Sequence, residues 1–216
     1  MFIEKIYELP LEHNLGYFLV GIIEPEVIGL KGGFIHYSHL MNVYDTYSST
    51  PFEKNANEDK KLKELMPPFV ISRKPKSRGR NKWREIGKKE ISLDNYRLPE
   101  FYQSKEIFYP DVKSQEWWMK VSRVFINDSS NSDYEKIKHL APWVYINFPG
   151  LSTVVTMYYL QKNGVDILDY YGDGILNDPL NHDFNVRIYN WVKNLPDYSK
   201  VPEEIRWIEN VDNIKY

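Results

Sequence analysis

Tyr7-Glu8-Leu9-Pro10-Leu11, followed by Gly16-Tyr17-Phe18-Leu19-Val20-Gly21-Ile22-Ile23, decides how the chain begins to fold. β-Branched and aromatic residues dominate both arms and favour extended backbone, while Asn14 and Gly16 between them supply a turn. The pattern predicts an antiparallel hairpin of residues 2–9 and 16–23. Working outward, residues 34–37 and 41–44 predict further strands, with Gly29, Gly32 and Gly33 marking a tight turn or bulge. Residues 48–59 are polar, contain Pro51 and read as a surface loop. One or two helical turns are expected over 58–65, ended by Pro67-Pro68. Phe69-Val70-Ile71 then reads as a short buried strand. A loop over 73–79 leads into a strand carrying Trp83 and Ile86. Residues 117–126 favour a strand through their β-branched end, and the polar run 128–132 breaks the chain.

Beyond that break the signals change to helix. Asp133 is placed to cap a short helix reaching His139, stopped by Pro142. Residues 151–162 follow Pro149-Gly150 and end at Asn163-Gly164, where glycine tolerates the left-handed conformation of a C-terminal stop. Asp178-Pro179 is a start signal, and Phe184, Ile188, Trp191 and Leu195 then recur at helical spacing up to Pro196. A last helix is expected over 202–210, with Glu203 and Glu204 at its dipole-favoured start. The class is therefore α+β: a β-rich N-terminal half, forming a twisted antiparallel sheet or small barrel, with a helical C-terminal half. Residues 1–128 and 133–216 are the expected β-rich and helical regions, packed together.

Composition limits the function. The chain has 216 residues, 42% hydrophobic and 27% charged, the balance of a globular protein with a substantial core. A net charge of −2 excludes a globally basic polyanion-coating protein. With no cysteine there is no disulfide, thiolate nucleophile or cysteine zinc site, which fits a cytoplasmic location. The N-terminus lacks the features of a signal peptide, and the longest apolar stretches, near 17–23 and 154–160, are too short to span a bilayer, so no membrane partner is expected. Seventeen Tyr, ten Phe and six Trp make up 15% of the chain, large apolar areas suited to a sheet core and to protein interfaces.

Common catalytic signatures are missing: no G-x-S-x-G, H-E-x-x-H, Walker loop or G-x-G-x-x-G occurs. His36 and His39, the one close histidine pair, fall on opposite faces of a strand. Asp169-Tyr170-Tyr171-Gly172-Asp173-Gly174 resembles a calcium loop, but Tyr171 occupies the third ligand position and Leu180 that of the terminal glutamate. A glycine-rich turn between helices is expected there. No cofactor, no metal and no intrinsic catalysis are expected. One charge feature stands out. Residues 73–89 hold nine bases (Arg73, Lys74, Lys76, Arg78, Arg80, Lys82, Arg84, Lys88 and Lys89) against one acid, Glu85, so the remainder is net acidic. Such asymmetry steers an oppositely charged partner. Arg73, Lys74, Lys76, Arg78, Arg80 and Lys82 are the candidate partner-binding residues.

Several of these segments together resemble the bacterial immunity protein 26 family. They are Leu9-Pro10-Leu11, the aromatic-glycine strand 17–23 with Gly21, Val43-Tyr44-Asp45 and Phe69-Val70-Ile71. Trp83 and Gly87 follow in a W-x-x-I-G element, then Pro99 and Phe101. The chain departs from the pattern at Glu4-Lys5, where members often carry Gly-Asp. The resemblance implies an immunity protein that binds a cognate bacterial toxin domain and neutralises it sterically. Trp83, Gly87 and Gly21 are expected to be structural, with Trp83 in the core and Gly87 at a bend or bulge. Two alternatives are a phosphotriesterase-like hydrolase assembled from scattered groups such as His36, His39 and Asp45, and a nucleic-acid-binding module using residues 73–89. Nucleic acid is disfavoured because an acidic remainder repels phosphate.

Overall fold

The computed structural model describes residues 1–24, 39–55, 61–72, 83–92, 97–104, 118–121, 129–132, 134–142, 148–178 and 182–210. The expected hairpin is present: β1 (Phe2–Pro10) pairs antiparallel with β2 (Tyr17–Ile23), Ile6 opposite Gly21 and Pro10 opposite Tyr17. β3 (His39–Ser48), β4 (Glu64–Ile71) and β5 (Arg84–Ile91) complete an open five-stranded sheet in the order β4-β3-β2-β1-β5. The expected strands 34–37, with Gly29, Gly32 and Gly33, lie outside the described residues.

β4 corrects the reading of residues 58–65 and of Pro67-Pro68. From Glu64 the chain is strand, and both prolines lie inside it. Proline cannot donate to a ladder, so it is confined to edges and bulges. β4 is an edge, and its register steps from Met41 opposite Phe69 to Val43 opposite Met66. The two prolines thus face Asn42 alone across a bulge. On the other edge, the ladder steps from Ile6 opposite Gly87 to Tyr7 opposite Glu85, leaving Ile86 as the extra residue. The Ile86 carbonyl accepts instead from the Asn55 backbone at 2.6 Å.

Alternation along the strands sorts the side chains into two cores. Tyr7, Leu9, Phe18, Val20, Met41, Val43, Met66 and Phe69 join the larger core with α2 (Phe148–Lys162) and α4 (His182–Asn194). Ile6, Leu19, Tyr44 and Ile86 form a smaller cluster with Phe52 and Leu62 from the β3–β4 connection. That connection is clamped by Glu8, whose carboxylate takes Arg84 Nε at 2.9 Å, Arg84 Nη2 at 2.8 Å and the Phe52 amide at 3.0 Å.

The helical half follows its sequence signals closely at two places. α2 begins earlier than expected, at Phe148, and ends in a paired Schellman pattern: Val165 N donates to Leu160 O at 2.9 Å and Gly164 N to Gln161 O at 3.0 Å, with Gly164 at φ +73°. In α4, Ile188 and Trp191 are buried as their spacing predicts, and so is Leu195 just beyond its end. Trp191 donates its indole N–H to Leu140 O at 3.1 Å and meets Phe69 edge-on at 5.9 Å.

Elsewhere the expectations are corrected. Of residues 169–174, read as a glycine-rich turn, the first three belong to helix α3 (Ile167–Tyr171), which Asp166 caps by accepting from the Leu168 and Asp169 amides, and the turn begins only at Gly172. The expected helix over 202–210 is one turn, α5 (Glu203–Arg206), followed by strand Trp207–Asn210. Arg206 ends it by donating to Val201 O and Tyr198 O, drawing the chain back on itself. Ser129–Ser132, read as a break, is a strand paired with Trp118–Val121. The short helix before Pro142, α1, spans Tyr134–Ile137, and Ala141–Pro142 pairs parallel with the strand Phe101–Ser104. Among the described residues no helix is long and apolar enough to cross a membrane. The fold is α+β.

Trp83 is only 4% exposed and belongs to the larger core. Trp83→Ala is expected to lower unfolding free energy by about 3–5 kcal/mol, read by denaturant titration, because the emptied space cannot close.

Candidate functional site

Helix α2 carries Thr153, Thr156, Tyr159 and Lys162 at successive three-residue steps, a row that winds slowly around the helix axis. Each meets a partner from the turn of the β1–β2 hairpin or the end of β3. Thr153 Oγ1 donates to Glu12 Oε1 at 2.7 Å, and Thr156 Oγ1 accepts the Glu12 amide at 3.0 Å. Tyr159 stacks on Tyr47, centroids 5.2 Å apart and planes 16° from parallel. Lys162 Nζ lies 3.0 Å from both carboxylate oxygens of Asp45.

Glu12 is the centre of this junction. Its second oxygen accepts from Tyr171 of α3 at 2.5 Å, so one carboxylate joins the hairpin loop, α2 and α3. Burial, reinforced by the Glu12 charge, pushes the Tyr171 phenol far above its ordinary value, keeping it a donor. The next two residues, His13 (φ +53°) and Asn14 (φ +58°), are both left-handed, a conformation that disfavours side chains other than glycine. Gly16, at φ +117°, is required twice, since a Cβ there would also meet Ser48 O and the Tyr47 ring. The loop thus projects the exposed His13 against Tyr170, centroids 5.3 Å and planes 27° apart, with Tyr171 at 5.7 Å. Tyr47, 43% exposed, donates to Leu15 O at 2.8 Å and contacts Phe18 at 5.6 Å. The result is a fixed ridge of rings, Tyr170–His13 at one end and Tyr47–Tyr159 at the other. Beside it lies a depression of about 270 Å³ lined by Val165, Asp166, Ile167, Tyr189 and Lys193.

A second polar cluster is sealed inside the sheet. Glu4 is fully buried, and its carboxylate accepts from Asn42 Nδ2 at 2.7 Å and the Tyr44 hydroxyl at 2.5 Å. Lys89 Nζ lies 3.8 Å from it and 5.0 Å from the Tyr44 ring centroid. Gly21 makes room, because a Cβ there would overlap the Glu4 carboxylate. Burial raises the Glu4 carboxyl above its ordinary value, against the opposing pull of Lys89, Tyr44 and Asn42. Burial also raises the Tyr44 phenol, with Glu4 adding to it. With Glu4, Asn42 and Tyr44 all buried, this cluster fixes the placement of β1 against β2 and β3.

The candidate partner-binding residues Arg73, Lys74, Lys76, Arg78, Arg80 and Lys82 lie outside the described residues, as does His36. Trp83 packs in the larger core, Gly87 borders the β5 bulge, and Gly21 accommodates Glu4. His39 and Asp45 are not brought together: they are six residues apart on β3, about 20 Å at a rise of about 3.3 Å per residue. His39 is buried, whereas Asp45 is exposed and paired with Lys162. Among the described residues no group of three or more His, Asp or Glu is placed to hold a metal ion. Sequence reading passed over Glu4, Glu12, His13 and Tyr171. Glu4 carried a signal, since it shares its alternation phase with Phe2 and Ile6. Comparison with protein-family models, curated proteins and solved structures finds no match to this chain.

Glu4→Gln tests the sealed cluster. A raised carboxyl makes the native state bind its proton more tightly, so Glu4 favours folding below the ordinary value of 4.5 and loses that contribution as pH rises through the folded value. Relative to wild type, the variant should therefore gain stability as pH increases from about 4 towards neutrality, measured by denaturant titration at each pH. A difference between the two proteins that does not vary with pH would rule this out.

Proposed function

We propose that the chain is an immunity-type binding protein, which seats on a folded toxin enzyme in the cytoplasm and blocks its active site sterically. The observation that carries this reading is the ridge of rings held by Glu12. Tyrosine supplies large contact area with few rotors, and a surface ordered before binding loses less entropy on association. Inhibition of this kind requires a complementary patch of roughly 800 Å² and no reactive group. The resemblance of residues 9–101 to immunity protein 26 agrees with it. Residues 73–89 would add a basic patch of opposite sign to the acidic remainder, and an interface presenting both signs discriminates against wrong partners. The hydrolase alternative needs His36, His39 and Asp45 to converge, which the separation of His39 from Asp45 along β3 disfavours.

Co-expression with the toxin encoded beside this gene should give a stable complex and restore growth. Tyr47→Ala and His13→Ala are each expected to weaken the complex by about tenfold or more, the effect of losing a central aromatic anchor. Their melting temperatures should fall by no more than about 2–4 °C, as befits exposed side chains in a domain of this size. A neighbouring gene product that neither binds nor is neutralised would reject the reading.

A further inference from the structure

We draw no further inference here: the strongest candidate, the depression of about 270 Å³ between α2, α3 and α4 lined by Val165, Asp166, Ile167, Tyr189 and Lys193, adjoins the face already described, and nothing in the structure shows what covers it.

Discussion

The carboxylate of Glu12 is the interaction on which the outer architecture depends. It accepts from Thr153 of α2 and Tyr171 of α3, while the backbone amide of the same residue donates to Thr156 of α2. These contacts span 141 to 159 residues of sequence, so they form only after the sheet and helices have met. They also hold the two left-handed residues that follow. An unsupported His13-Asn14 pair in that conformation would cost of order 1–3 kcal/mol per residue and would relax. Charge-assisted hydrogen bonds to a partly buried carboxylate are strong enough to offset that strain. The ridge of rings is thus a consequence of the same bonds that fasten α2 to the sheet.

Glu4 shows the other environment a carboxylate can occupy. Glu12 sits at a rim where helices bring donors to it, whereas Glu4 is enclosed in the sheet and raised by loss of water. Asn42 and Tyr44 satisfy its two oxygens, and Lys89 supplies a counter-charge from the opposite neighbouring strand. A slip of β1 by one residue would turn Glu4 to the other face and leave Asn42 and Tyr44 without their acceptor. Apolar strands such as β2 specify register weakly because many slips bury similar area. A sealed polar cluster adds a term that only one register satisfies. Gly21 belongs to the same device, since any side chain there would compete with Glu4 for space.

The fold class, the first hairpin and the core face of α4 were legible because each rests on a local pattern: alternation, a turn, a three-to-four-residue spacing. The Asn163-Gly164 stop was legible for the same reason, since one left-handed glycine suffices. Pro67-Pro68 was misread because proline signals a break in isolation, and only the position of β4 at an edge, with a bulge opposite Asn42, lets it stay in a strand. Residues 207–210 were misread because Arg206 bonds back to Tyr198 and Val201, contacts that helical spacing does not encode. Glu12 carries no local sequence signal. Its partners lie on helices with no local signature of their own, so the ridge could not be located before the helices were placed.

The position of the ridge follows from how the sheet can be covered. One face of the sheet carries α2 and α4, and the other holds the smaller cluster under the β3–β4 connection. The turn of the hairpin projects past both and meets α2, α3 and the end of β3. A loop in that position is unconstrained by core packing and can carry exposed rings, provided something fixes it. Stacked rings and a strained tip, fastened by hydrogen bonds from two helices, are together more order than a solvent-facing loop needs for stability alone. That surplus order, placed where the core makes no demand for it, is the feature on which the proposed binding role rests.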